Sequence, residues 1–189
     1  MHTLVGVATR DVAVLASDRA LFAGSVLLTE DDDKAIGLGP HLTMLTAGEG
    51  KEQFGDWAAR NLRLFELRHG YALSPSAAHH WVRKAVADSL RSRDHVTVDC
   101  LVAGWDKDEG AFLGSVDYLG NGLGHQPYVF RGFGGRFGYA IMDREYKKDM
   151  TEQATIDLVH KCLKFVANLS AYNIVVIDKN GRRAWDVKI

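Results

Sequence analysis

Asp18 closes an apolar run, VAVLAS, and Lys34 opens the next one. A carboxylate and an ammonium placed like this can pair. Taken alone, such a pair would usually lie on the surface and be worth at most about 1 kcal/mol. Burial would make removal of one partner cost about 3–5 kcal/mol, and an aspartate directly after an apolar strand leans toward burial. Asp31, Asp32 and Asp33 stand just before Lys34. They are expected to form a solvated loop face, or otherwise a charged contact to a neighbouring chain. Eight histidines raise the question of a metal, but there is no HExxH or CxxC spacing. His79 and His80 are adjacent and would diverge by about 100° on a helix, so solvated or core histidines are expected. Two glycine runs, Gly120 to Gly124 (GNGLG) and Gly132 to Gly138 (GFGGRFG), fit neither GxxxxGK[ST] nor GxGxxG. Tight turns, or close backbone approach beside a helix, are expected there. The GxSxG turn of a serine nucleophile is absent.

The elements that must position these residues are legible from periodicity. Leu4 to Ala8 and Val12 to Ser17 form a hairpin whose nearly continuous apolar residues imply a sheet covered on both faces. Lys34 to Leu38 and Leu42 to Thr46 form a second pair, ended by Gly48. Phe54, Trp57, Ala58, Leu62 and Phe65 then fall at helical spacing, up to a stop at His69-Gly70. Ser74-Pro75 starts a second helix through Trp81, Val82 and Ala85; Phe54, Trp57, Phe65 and Trp81 are expected to be mostly core. Strands return at Val96 to Ala103 and Ala111 to Val116. A further helix is expected from an Asp149 cap with Glu152 three residues on, carrying Ile156, Val159, His160, Leu163 and Val166. Ile174 to Ile177 and Ala184 to Val187 close the chain as a hairpin through Lys179-Asn180-Gly181. This order predicts an α+β fold of antiparallel sheets flanked by helices. It does not suit a doubly wound nucleotide-binding fold.

At 189 residues, 47% apolar and 25% charged, the chain suits one domain, residues 1–189, with a sizeable core. Its net charge of −1 favours neither nucleic acid nor an anionic membrane. Cys100 and Cys162 sit in apolar stretches and are expected to be buried free thiols in a reducing compartment. No apolar run is long enough to span a membrane, and the first residues do not read as a signal peptide.

The chain resembles proteasome beta subunits over nearly its whole length. The resemblance rests on TLVGV (Thr3 to Val7), VLASDR (Val14 to Arg19), Lys34, TAGEG (Thr46 to Gly50), GFGG followed by YAIMD (Tyr139 to Asp143), and DMTEQAT (Asp149 to Thr155). HGYALSP (His69 to Pro75), LRSR (Leu90 to Arg93) and IDKNG (Ile177 to Gly181) look like the non-catalytic fourth beta position of eukaryotic core particles. The resemblance implies a four-layer αββα sandwich of the N-terminal-nucleophile hydrolase type. Active members use an N-terminal threonine whose α-amine is the general base, a lysine oriented by an aspartate, and a glycine amide facing the oxyanion.

Carried over position by position, the resemblance matches Asp18, Lys34 and Gly48 to the aspartate, the lysine and the glycine. His2 stands at the nucleophile position. Phe133 stands where a serine is expected, and the late RDxxSG segment should fall near Ala167 to Ala171, without its aspartate. No catalytic residue is therefore expected, and no cofactor or metal. Also implied are partners in a seven-membered beta ring, in an alpha ring and across to the opposite beta ring, no nucleic acid or membrane, and a cytoplasmic and nuclear location. One rival reading is an active subunit using Thr3 after proteolysis. It is disfavoured because no glycine precedes Thr3 and the mature chain is expected to start at or near Met1. The other is a bacterial-type self-compartmentalising protease subunit, which would have to be active.

Overall fold

The computed structural model describes residues 2–164 and 171–188. Six strands come first: β1 (Thr3–Ala8), β2 (Ala13–Asp18), β3 (Leu21–Ala23), β4 (Val26–Thr29), β5 (Ala35–Gly39) and β6 (Leu42–Glu49). Helices α1 (Lys51–His69) and α2 (Pro75–Ser89) follow, then β7 (Thr97–Asp106), β8 (Gly110–Val116), β9 (Gly122–Leu123) and β10 (Tyr128–Gly132). Helices α3 (Gly135–Glu145) and α4 (Glu152–Lys164) and strands β11 (Ala171–Asp178) and β12 (Gly181–Lys188) complete the order.

Two five-stranded antiparallel sheets result, β10-β1-β2-β11-β12 and β5-β6-β7-β8-β9, with β3-β4 as a separate ribbon. Alternation along the strands builds three cores. Leu4, Leu15, Val175, Leu45, Leu101 and Leu113 meet between the two sheets. Val5, Val7, Val14, Ile174 and Val176 point the other way, onto Met142 of α3 and Val159 and Leu163 of α4. Met44, Cys100, Val102 and Val116 pack on Phe54, Ala58 and Leu62 of α1 and Val82 and Val86 of α2. The layers are α3/α4, sheet, sheet, α1/α2, the αββα sandwich expected. A strand buried on both faces has no polar side to display, which is why β1 and β2 read as continuous apolar runs.

The caps of α1 and α2 follow the sequence reading. Gly70 ends α1 at φ 78°, its N–H on the Glu66 carbonyl, and the Ser74 hydroxyl accepts from the Ala77 N–H at 3.3 Å. Two expectations are corrected, the cap of α4 and the burial of Trp57. Thr151, not Asp149, caps α4, its hydroxyl accepting from the Ala154 N–H at 3.3 Å. The glycine run 132–138 makes the turn and the close approach expected of it, Gly134 lying on the Thr3 side chain and Gly138 on the Phe130 ring where no β-carbon fits, and it runs on into α3, a helix that the periodicity did not announce. Trp57 is not core: it is exposed and stacks on Trp81 at 5.1 Å. Both cysteines are buried free thiols, in cores on opposite faces of the sandwich. Burial pushes the Cys162 thiol up to about 11. Val166 lies outside the described residues.

His79 is buried against β8, its Nε2 3.0 Å from the Ser115 carbonyl. Burial lowers its pKa below the ordinary imidazole value, outweighing that hydrogen bond, and nearby Arg83 adds to the shift. The unfolded chain therefore binds more protons than the folded one just below the ordinary value. Stability should fall as pH drops through that window, by at most about 1.4 kcal/mol per pH unit. Urea unfolding from pH 7.5 to 5.5 checks this, and His79→Gln should flatten the slope.

Candidate functional site

The carboxylate of Asp18, at the last position of β2, does three things. Its Oδ1 accepts from the Thr3 N–H at 2.6 Å, and its Oδ2 accepts from the Ala20 N–H at 3.2 Å and from Lys34 Nζ at 3.1 Å. Lys34 lies just before β5. Its ammonium also donates to the Asp18 carbonyl at 2.8 Å and the Ala20 carbonyl at 2.9 Å. An ammonium has three N–H donors, and these three bonds use all of them. The two side chains are 2% and 3% exposed as residues, which settles the burial question that the sequence left open.

Asp32 is the site residue that the sequence reading missed. It is buried rather than solvated. Its Oδ2 forms an ion pair with Lys34 Nζ at 3.0 Å. Its Oδ1 accepts from Lys51 Nζ at 2.6 Å. Burial alone would raise the Asp32 pKa, but Lys51 and Lys34 outweigh it and hold the carboxyl below its ordinary value. Lys51 opens α1, where the helix dipole disfavours a cation, and Asp32 compensates for it. The result is an alternating buried chain, Asp18–Lys34–Asp32–Lys51, across β2, the segment before β5 and the start of α1.

A signal for Asp32 did exist. In an extended segment i and i+2 share a face, so Asp32 must follow Lys34 inward while Asp31 and Asp33 face out. Asp31 instead pairs with Arg19, and Asp33 accepts from the Ala35 N–H at 2.9 Å.

The other candidate positions converge on the same end of the sandwich. The His2 carbonyl accepts from the Phe133 N–H at 2.9 Å, and His2 Nε2 stands 3.7 Å from Asp99 Oδ2. Asp99 neighbours Val98, the partner of Gly48 across β6 and β7. The Lys34 carbonyl accepts from the Thr46 N–H at 3.0 Å. Thr3 is buried in β1, paired with Gly132, and its nitrogen is a backbone amide rather than an amine. The Phe133 ring packs near Phe137 at 5.7 Å under the Arg136 guanidinium. Residues 167–170 of the late segment lie outside the described residues. This arrangement supplies an oriented, buried cation. At residue 2 it holds an imidazole, and at residue 133 a benzyl group.

A family model described as proteasome subunit matches residues 1–178. The chain is 55% identical to a proteasome subunit beta type-2 of Caenorhabditis elegans, over 98% of both chains. It is 32% identical to a proteasome subunit beta type-4 of Saccharomyces cerevisiae, again over 98% of both. It is also 32% identical to a beta type-2 subunit of Oryza sativa subsp. japonica, over 98% of this chain and 90% of that one.

Proposed function

The chain belongs to the proteasome subunit family, as a beta subunit, and we propose that it is a non-catalytic one. The observation that carries this reading is the state of Lys34. A lysine that serves a nucleophile must turn at least one N–H toward the reacting oxygen. All three N–H groups of Lys34 are spent on Asp18 and Ala20 of its own chain, with Asp32 as a further counter-charge. His2 adds to this, because it offers no hydroxyl beside an α-amine. Phe133 leaves the serine position without a hydroxyl. Asp18, Lys34 and Gly48 then remain as structure rather than machinery.

In this role the subunit fills one place in a seven-membered beta ring. It contacts other beta subunits, an alpha subunit on one face and a beta subunit across the ring–ring interface. It supports ATP- and ubiquitin-dependent protein degradation by holding active neighbours in register, in the cytoplasm and nucleus. The alternative, an active subunit using Thr3 after cleavage behind His2, would have to give up the bond from the Phe133 N–H to the His2 carbonyl.

Threonine-directed epoxyketones separate the two readings, because their adduct needs a hydroxyl and an α-amine on one residue. On the assembled particle at saturating probe, mass spectrometry should find the label on other subunits and none on this chain. An adduct on this chain that disappears in Thr3→Ala would establish the active form.

A further inference from the structure

The turn between β5 and β6 lies at the opposite end of that hairpin from Lys34. There it meets the link between α1 and α2 and the end of β7 around a half-enclosed cavity of about 250 Å³. Leu38, Leu62, Leu73, Pro75 and the indole of Trp105 supply its apolar wall. The fold holds that wall in place. The Trp105 N–H donates to the His41 carbonyl at 2.9 Å, and the approach of that carbonyl and the Pro75 ring to Gly104 leaves no room for a β-carbon. Small-molecule sites are concave, mostly apolar and largely pre-formed, with a few fixed polar groups. This cavity lies just below their usual range of about 300–1,000 Å³, so its ligand is smaller than a drug.

The polar side chains of the cavity share one character. Glu66 and Asp106 bring two carboxylates. One oxygen of Glu66 accepts from Arg63, and Asp106 Oδ1 accepts from the Asp108 and Glu109 N–H groups at 2.8 and 3.3 Å. Each carboxylate keeps a second oxygen that takes no hydrogen bond among the described residues. His41 Nδ1 lies 3.0 Å from the Asp178 carbonyl. A carbonyl only accepts, so Nδ1 carries the ring hydrogen and Nε2 of the neutral ring is an acceptor. The Ser74 hydroxyl is engaged as the cap of α2, and no lysine or arginine is among the lining residues. Carboxylates, a ring lone pair and an indole repel an anion and suit a cationic hydrogen-bond donor. A second cavity lined by Trp105 lacks this character, because its Glu152 and Asp178 share the Arg183 guanidinium.

We propose that this cavity binds a small primary amine with an aromatic body, its ammonium paired with the Glu66 and Asp106 carboxylates and its body against Trp105 and the leucines. The unbranched four-carbon stem of a lysine would leave much of this wall uncovered, so the occupant is a free arylalkylamine and not a side chain of a neighbouring subunit. The site is separate from Asp18 and Lys34, and it stands whether or not the subunit is catalytic.

The test uses the assembled particle and the free full-length chain, each irradiated with a phenethylamine that carries a diazirine on its ring. Peptide mass spectrometry should place the adduct on the residues that line this cavity, in both. Unmodified phenethylamine should suppress the adduct at concentrations at least about tenfold lower than hydrocinnamate, which has the same body and the opposite charge. In E66Q/D106N this preference for the amine should disappear. Equal suppression by amine and acid on the parent chain, adducts scattered over the surface, or none in this cavity, would overturn the proposal. So would an undiminished preference in the double variant. Labelling of the free chain that is absent from the particle would mean that a neighbour's side chain fills the cavity, and would overturn it as well. If the double variant fails to fold, the comparison of amine with acid on the parent chain decides alone.

Discussion

Lys34→Met is expected to destabilise the chain by about 3–5 kcal/mol and to deplete it from assembled particles. The substitution removes the one cation paired with the Asp18 carboxylate among the described residues, a carboxylate that is 3% exposed. Asp32 keeps Lys51, but Asp18 is left charged and buried, with two backbone N–H groups as its remaining partners among the described residues. Asp18→Asn should be milder. Its amide oxygen still accepts from the Thr3 N–H, and Lys34 retains the Asp32 charge and two carbonyls. The double variant should cost less than the sum of the singles, because the charge stranded by one change is removed by the other. Urea unfolding of the three chains, with native mass spectrometry of their incorporation, measures this. A Lys34→Met chain within 1 kcal/mol of the parent would contradict the buried-chain account. Normal assembly with loss of one peptidase activity would mean instead that Lys34 acts on a neighbour's site.

The second large effect is expected at Gly48. Its φ is +121°, and a β-carbon there would drive into the Thr97 carbonyl and the Val98 backbone of β7. β7 lies between β6 and β8 at the centre of its sheet and cannot retreat. Gly48→Ala should therefore cost more than about 4 kcal/mol, read as loss of soluble, folded chain. Gly50→Ala is the control. At φ +76° with open space around it, it should cost only about 1–2 kcal/mol. Equal effects at the two positions would show that conformational strain, and not the clash with β7, dominates. Sterics between two strands are thus enough to require glycine at 48, so its presence is no sign of a working oxyanion site.

The sequence by itself determined the sandwich. Continuous apolar runs at Leu4 to Ala8 and Val12 to Ser17, helical spacing from Phe54 to Phe65, the Ser74-Pro75 start and the Asn180-Gly181 turn are local patterns, and each became the element it announces. It also determined what residue 2 lacks, since a hydroxyl is present in the letters or it is not. The α3 helix was hidden because Gly134, Gly135 and Gly138 are poor helix formers, kept for contact with Thr3 and Phe130 across the fold. The β3–β4 ribbon was hidden because its strands are short and its apolar residues serve no core.

Only the tertiary structure decided the electrostatics of the site. Asp31, Asp32 and Asp33 are one acidic run in the letters, and only the two-residue spacing from Lys34 sets the middle one apart. One of them is buried because the turn of the chain after Arg19 brings Asp32 between Lys34 and the first residue of α1, nineteen positions on. An ion pair's strength depends on how much water is excluded around it, and that exclusion is made by strands and a helix far apart in sequence. The same packing left Lys34 without a free N–H. Composition and spacing name the charges, but the sandwich fixes which of them meet and how dry the contact is.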